Sequence, residues 1–380
     1  MTNFSNVIIW QPTLTDHQAF TFEALAEISK LTIKTNLIKQ QDRERSLQGW
    51  TNTNLKSIQK KIIPKYCFMF YCIKELINYA NQIHIFCNSF SDYRLYFILF
   101  LATLFRLKVF IISEPYSVSH YGYFIEEASW KSQFKKKFRP LLYYFYILLI
   151  KKGLSGVFAI SDLAKDQFVK AGLSIDKVYS FGYFVPSVVP AININAIKRN
   201  NCLRIVFVGN LIQRKGIQSL LNVFKNLKLK GAPVELYIYG YGNPYVYCFK
   251  DRGVIYMGEI PFGNTQYEIS KYDVLVLPSF FDGWGVVVNE AICAGLPVIC
   301  SDMVGAKILI KNFSCGYVYK AGDEIILYNI ITKLCNNRNL LEILQKNTII
   351  ASSKIQPKIA AQYLLDIITK NNSTYNLDFL

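Results

Sequence analysis

The stretch Pro278-Ser-Phe-Phe-Asp-Gly-Trp-Gly-Val-Val-Val-Asn-Glu-Ala-Ile-Cys-Ala-Gly-Leu-Pro-Val-Ile-Cys-Ser-Asp302 decides the fold. The apolar run before it, Val274-Leu-Val-Leu277, reads as a buried strand ending at Pro278. A glycine-flanked loop, Asp282 to Gly285, follows; a helix then starts near Val286 and closes at Gly295, and Pro297 opens the next strand. Strand, loop, helix and strand in this order make the unit of a parallel sheet, which binds ligands at the carboxyl ends of its strands. The loop occupies such an end. Its glycines let a ligand approach the backbone, and the helix start offers free N–H groups and a positive dipole end that suit phosphate. Asp282 in the loop and Glu290 on the second helical turn can place two carboxylates in one cleft, where they would accept from the vicinal hydroxyls of a sugar and a ribose. Taken singly, Asp282 also suits an ordinary turn and Glu290 a solvent-facing helix position.

A second segment, Leu203-Arg-Ile-Val-Phe-Val-Gly-Asn-Leu-Ile-Gln-Arg-Lys-Gly216, again runs a strand into a loop, with Arg214 and Lys215 just ahead of a helix. Two cations facing the positive end of a helix dipole are unfavourable. A diphosphate site would account for them, and so would a solvated basic loop.

Working outward, Val7 to Trp10, Ile83 to Phe86, Lys108 to Ile112 and Gly156 to Ile160 read as strands, with helices at Thr21 to Ser29 and Tyr93 to Phe105. Ser161 looks like the N-cap of a helix from Asp162 to Lys170, stopped by Gly172. Pro186 to Asn201 is the best linker. Beyond it the alternation resumes with strand Arg204 to Val208, helix Gly216 to Leu229, strand Val234 to Tyr239 and strand Pro297 to Cys300. Two doubly wound, Rossmann-like α/β domains are expected, over 1–186 and 203–355, joined by a linker at 187–202.

A chain of 380 residues that is 52% hydrophobic and 18% charged has more than one core and is not disordered. Its 43 Lys and Arg against 26 Asp and Glu leave a net charge of +17, which implies an anionic partner: nucleic acid, a phosphorylated substrate or acidic lipid headgroups. The nine cysteines are scattered with no C-x-x-C pair, as expected of buried, reduced thiols in a cytoplasmic protein rather than of a disulfide framework or zinc site. Met1 to Trp10 lacks a basic n-region and an apolar h-region, so no signal peptide is expected. Leu95 to Phe105 and Leu141 to Ile150 fall well short of the roughly 20 apolar residues of a membrane span.

Together the two segments resemble the donor domain of the large GT4 family of retaining glycosyltransferases, which has the GT-B fold. Gly209 to Gly216 stands for the family's G-R-x-x-x-x-K-G turn, and Asp282 to Glu290 for its E-x7-E motif, followed by Ala294-Gly-Leu-Pro-Val-Ile299. Ile238-Tyr-Gly-Tyr-Gly242, Met257-Gly-Glu259 and Tyr272 to Ser279 match in the expected order. The resemblance implies a hexosyltransferase-type enzyme using a nucleotide-diphosphate sugar, with no cofactor. Lys215 would neutralise the diphosphate beside Arg214, Asp282 would bind a hydroxyl of the transferred sugar, and Glu290 the ribose. Backbone around Gly283, Trp284, Gly285 and Val286 would hold sugar and phosphates, Gly209 and Asn210 would belong to the donor site, and the loop after Gly258 would lie beside the base. The helix in 356–380 would return to the first domain. Two positions depart from the pattern: Asp282 replaces Glu, and Asn210 replaces an arginine. No D-x-D triplet occurs, so a metal-independent transfer is expected.

The resemblance also implies an acceptor side in the first domain. His17, in the loop Pro12 to Gln18, is a candidate acceptor contact. Glu114 sits where the family often has a site histidine; it would accept a proton from the acceptor hydroxyl, or simply cap a turn. The run Lys131 to Lys152 mixes cations with aromatic and aliphatic residues and contains no acid. It reads as a solvated basic face leading into a core helix, or as a dock for an anionic membrane. The expected setting is bacterial surface polysaccharide assembly, O-antigen-like or capsule-like, on a lipid-linked acceptor at the inner face of the cytoplasmic membrane. A catalytically inactive partner subunit with the same fold, or a sugar-nucleotide epimerase, are the alternatives. Nucleic acid is not expected, because only charge argues for it.

Overall fold

The computed structural model describes residues 4–40, 57–121, 129–188, 202–247, 249, 253–261, 263–369, 377 and 379–380. Most of the expected linker, from 189 to 201, and Cys248 lie outside the described residues.

Apolar runs with few turn residues make the central strands of the first domain: β1 (Asn6–Gln11), β4 (Ile83–Cys87), β5 (Lys108–Ser113) and β6 (Gly156–Ile160). The outer strands are β2 (Thr32–Leu37), β3 (Ile58–Ile62) and β7 (Val178–Phe181). All seven are parallel, in the order β3-β2-β1-β4-β5-β6-β7, so the order reverses beside β1. Helices α1 (Asp16–Ile28), α2 (Phe68–Asn78), α3 (Tyr93–Leu104), α4 (Ser129–Ile150) and α5 (Asp162–Lys170) cover the faces. The second sheet has strands β8 (Leu203–Val208), β9 (Val234–Tyr239), β10 (Val254–Gly258), β11 (Val274–Leu277), β12 (Val298–Ser301) and β13 (Gly316–Tyr319). They run parallel in the order β10-β9-β8-β11-β12-β13, reversing beside β8. Its helices are α6 (Ile217–Leu229), α7 (Thr265–Ile269), α8 (Val286–Cys293), α9 (Lys307–Phe313), α10 (Glu324–Asn336), α11 (Arg338–Lys354) and α12 (Pro357–Thr369).

Helix α12 leaves the second domain and packs along α1 of the first. Tyr363 on α12 stacks on Phe181 with ring centroids 6.3 Å apart, and Ala360, Leu364, Ile367 and Ile368 are buried with it. One core therefore runs from the α1 face of the first sheet through Phe184 and Trp284 to Val288 and Ile292 on α8. Burial of apolar area, at about 25 cal/mol per Å2, makes this shared core a bond between the domains. The eight cysteines among the described residues are free, and five of them are buried.

Three local expectations are corrected. The first helix begins at Asp16 rather than near Thr21, which takes His17 out of the loop and into a helical turn. Ser161 stands at the N-cap position of α5, but its side chain makes no capping bond. The carboxyl half of α4 is not a core helix: Leu141, Leu142, Phe145, Leu148 and Leu149 are exposed, and Ile147 and Ile150 alone are fully buried there. Among the described residues no helix is long and apolar enough to cross a membrane.

Candidate active site

The reversal of strand order beside β8 opens a crevice at the carboxyl ends of β8 and β11, where doubly wound sheets hold ligands. Each strand delivers one charged loop to it. After β8 the chain makes a 3-10 turn, Gln213–Lys215, and Gly216 starts α6 with φ +71°. A Cβ on Gly216 would run into the Pro278 carbonyl at the end of β11, so only glycine lets the two loops lie this close. Lys215 Nζ donates to Asp282 Oδ2, pairing the loops directly. Burial pulls the Lys215 ammonium below its usual range, while Asp282 beside it pushes the other way.

Arg214 does something else. Its side chain is only 5% exposed and donates to the Phe281 carbonyl, and its own carbonyl accepts from Phe280 N–H at 2.8 Å. It braces the Asp282 loop from beneath instead of standing open beside Lys215, and lies 4.0 Å from Asp282 Oδ1. The cation that the sequence offered as a neighbour to the phosphate clamp is thus committed to loop structure.

Asp282 N–H donates to Met303 O at 2.9 Å, and Gly305 N–H to Asp282 O at 3.1 Å, tying this loop to the one after β12. Gly283 comes next, and a Cβ there would lie 2.5 Å from Glu114 Oε2 of the first domain. Glu114 follows β5 and accepts from the Tyr183 hydroxyl at 2.7 Å. The Tyr183 ring packs 4.2 Å from the ring of His17, whose Nε2 is 2.9 Å from Thr15 Oγ1. His17 is 8% exposed, so its ring reaches the site through Tyr183. Tyr183 and Thr15 are contributors that the sequence alone did not single out; an aromatic in the segment leaving β7 was the one available hint.

Trp284 turns into the domain junction, 1% exposed, with Nε1 donating to Asn289 at 2.7 Å. Gly285, with φ +88°, caps α8, so Val286 opens the helix and its amino end lies at the crevice. Glu290, one turn further, is half-buried. Burial pushes its carboxyl up to about 7, against a hydrogen bond from Thr265 at the start of α7. Gly209 N–H donates to Tyr239 O at 3.0 Å, Asn210 follows it, and Gly240 N–H donates to Gly258 O at 2.8 Å. That ladder sets Gly209, Asn210 and Gly258 along the same carboxyl edge.

The structure therefore brings Lys215, Asp282, Gly283 and Glu114 together, with the α8 amino end nearby. Glu290 lies on the α7 side. Among the described residues the crevice offers Lys215 and a helix start that suit a diphosphate, and carboxylates that suit hydroxyls. Among the described residues no group of three or more His, Cys, Asp or Glu side chains gathers as a metal site would.

The match to a family model falls on this half of the chain. Residues 194–350 match the family model of glycosyl transferases group 1. The capsular polysaccharide biosynthesis glycosyltransferase CapM of Staphylococcus aureus is 24% identical over 184 residues, 46% of this chain and 47% of that protein. The phosphatidyl-myo-inositol mannosyltransferase of Mycobacterium leprae is 26% identical over 194 residues, 49% of this chain and 51% of that one. The chain thus spans about half the length of these curated relatives. Among solved structures, Anabaena Alr3699/HepE in complex with UDP and glucose superposes with a TM-score of 0.69 at 13% identity, covering 97% of this chain and 100% of that one. Two parallel-sheet domains with this full-length superposition make the fold GT-B, and its second domain carries the group 1 glycosyltransferase match.

Proposed function

We propose that this chain is a glycosyltransferase that moves a sugar from a nucleotide-diphosphate donor to a saccharide acceptor, with retention and without a metal ion. The observation that carries the reading is the meeting of Lys215, Asp282 and Glu114 where the carboxyl edges of the two sheets face each other. As the glycosyl–phosphate bond breaks, its electron pair stays on the diphosphate and the ring becomes oxocarbenium-like. Lys215 and the α8 amino end meet that charge in place, without reorganising. When Lys215 turns to the phosphate, Asp282 is released to accept a sugar hydroxyl. Glu290 accepts from the ribose. The acceptor oxygen bonds the anomeric carbon on the face the diphosphate leaves, and its proton passes to Glu114. Metal independence rests on the absence of a D-x-D triplet and on this cationic alternative.

The setting we infer is bacterial surface polysaccharide assembly on a lipid-linked acceptor, with the protein held at the inner face of the cytoplasmic membrane. The names of the relatives, one acting in capsule synthesis and one on phosphatidyl-myo-inositol, support it. So does α4. At 1.5 Å per residue it is roughly 33 Å long, and Trp130, Phe134, Phe138, Leu141, Phe145 and Leu149 recur on it exposed. Lys131, Lys135, Lys136 and Lys137 are exposed among them. Apolar side chains with cations and no acid fit an anionic interface.

A thermal-shift panel of UDP-, GDP-, ADP- and dTDP-sugars tests the donor reading. One class is expected to stabilise the wild type and to lose that effect in both Lys215→Ala and Glu290→Ala. If none stabilises the wild type, the donor reading fails and an inactive partner subunit takes its place.

A further inference from the structure

The first sheet has a second edge, at the amino ends of its strands. There the carboxyl ends of α3 and α4 frame an open groove of about 820 Å3, within the range of ligand sites. Phe4 ahead of β1, Lys108 opening β5, Ser155 ahead of β6 and Lys177 ahead of β7 line it. Strand β5, at about 3.3 Å per residue, sets it roughly 17 Å from the Glu114 end of the sheet. The groove is therefore no part of the crevice.

Two helix ends meet in its wall. Arg106 N–H donates to Thr103 O and Leu107 N–H to Ala102 O, both at 3.1 Å, closing α3. This closure puts Arg106 at φ +55°, the left-handed position that glycine usually fills. Gly153 ends α4 beside it: its N–H donates to Ile150 O at 3.1 Å, and a Cβ on it would run into the Thr103 carbonyl. Arg106 and Lys152 stand exposed next to these ends.

Four cations line the groove, Arg106, Lys108, Lys152 and Lys177, and no Asp or Glu is among its described lining residues. Cations suit a helix carboxyl end, but each end has only about half a negative charge. The two ends thus answer about one cation of the four. Lys177 Nζ donates to Leu154 O at 2.8 Å, and Lys108 Nζ lies over the Phe4 ring at 4.7 Å from its centroid. Exposed Asp176 accepts from the Ser174 hydroxyl and offsets Lys177 in part. Burial pulls the Lys108 ammonium below its usual range, and an anion beside it would oppose that. The rest of the lining is apolar. Leu104 and Leu149 are 62% and 59% exposed at the groove, and Leu149 is also the last member of the α4 stripe.

We propose that this groove seats one anionic phospholipid, its phosphate among the four cations and its chains over Leu104 and Leu149. A free phosphate would use the cations but not the leucines. A second copy of the chain fits poorly, because a two-fold contact would set these cations against their own copies. The inference rests on the membrane reading of α4 and adds to it a discrete lipid site where that stripe ends.

Arg106→Gly removes a cation where the backbone suits glycine, and Lys152→Ala removes an exposed one, so the double variant is expected to melt with the wild type. Lys152→Glu alone gives a reading that leaves the α3 end intact. Calorimetric titration with monomeric dihexanoyl phosphatidylglycerol reads the groove without a membrane, with dihexanoyl phosphatidylcholine and inorganic phosphate beside it. Two cations at a lipid phosphate correspond to roughly thirtyfold. The wild type is expected to bind phosphatidylglycerol, and the double variant to bind it roughly thirtyfold more weakly. The variant with Lys135, Lys136 and Lys137 replaced by alanine should bind it as the wild type does.

A wild type that does not bind phosphatidylglycerol overturns the proposal, as do Arg106 and Lys152 variants that bind it unchanged. An equal loss in the α4 triple variant overturns it too, since diffuse charge would then account for binding. Phosphatidylcholine or inorganic phosphate bound as tightly as phosphatidylglycerol removes the anionic lipid as the occupant. Self-association seen by sedimentation and lost in the double variant would give the groove to a second copy instead. The α4 reading fails separately, by a wild type that does not float with anionic vesicles.

Discussion

Lys215 and Asp282, 67 residues apart in the chain, form an ion pair across the loops of the neighbouring strands β8 and β11. Each is nearly buried, with 14% and 12% of its side chain exposed.

Breaking that pair from either side leaves a buried charge without its partner, which is more damaging than never having had the pair. Lys215→Ala leaves Asp282 with Arg214 at 4.0 Å as the remaining cation. We expect a loss of stability of about 3 kcal/mol and, under the proposed function, at least a hundredfold loss of turnover, since the cation proposed to meet the leaving group is gone. Asp282→Asn keeps the shape and frees Lys215. It is expected to retain nucleoside diphosphate binding while losing discrimination between donor sugars. Melting curves and donor-dependent turnover check both.

Glu290 sets a pH dependence. Its folded carboxyl lies near 7, raised by burial from the ordinary 4.5. The folded state therefore holds a proton more tightly than the unfolded one, and its stability falls as pH rises from about 4.5 to 7. Glu290→Gln removes this term. It should melt above the wild type at pH 8, by an amount on the order of 2 kcal/mol, with the gap closing toward pH 4.5. Under the proposed donor site, binding is expected to run the other way, because ribose hydroxyls would need the ionised carboxylate. Affinity for the nucleoside diphosphate should tighten between pH 6 and 8 in the wild type, roughly tenfold per unit below the carboxyl's midpoint, and stay flat in the variant.

Gly283 is one point where the two domains meet at the site. An added methyl would stand 2.5 Å from Glu114 Oε2, a group that Tyr183 holds from the other side. Gly283→Ala is expected to melt within about 1 kcal/mol of the wild type, since a side-chain tip yields more easily than backbone. Turnover should fall at least tenfold, because a displacement near 1 Å at the reacting centre is costly. Circular dichroism melts and initial rates separate the two effects.

The exposed stripe of α4 predicts membrane binding through charge and apolar contact together. Flotation with vesicles containing anionic phospholipid should carry the wild type at low salt, and vesicles of zwitterionic lipid alone should not. Replacing Lys135, Lys136 and Lys137 by alanine should release it, each cation contributing about 1 kcal/mol near such a surface. Equal flotation of the triple variant would leave the apolar stripe as the sole anchor, and no flotation of the wild type would remove the membrane from the account.

Local chemistry made much of this protein legible from sequence. Val274 to Leu277 could only be a buried strand, the glycines of Asp282 to Gly285 could only be a loop, and Gly156 to Lys170 folds with the boundaries its pattern dictates. Those features depend on the chain's immediate neighbours, so the order of residues contains them. The edges were less readable: β2 and β3 each have only two apolar residues, Ile33 with Leu37 and Ile58 with Ile62, separated by polar ones, because strands toward the edge of a sheet are less covered. Tertiary packing alone decided the rest. It placed Lys215 against Asp282, pressed Glu114 onto Gly283, and turned Arg214 from an open cation into a brace for the loop. It also took Ser161 out of its N-cap role, with its side chain making no capping bond. The physical reason is common to all four. Strand order and domain docking set distances between residues far apart in the chain, and the spacing of residues along one chain contains no information about which strands become neighbours.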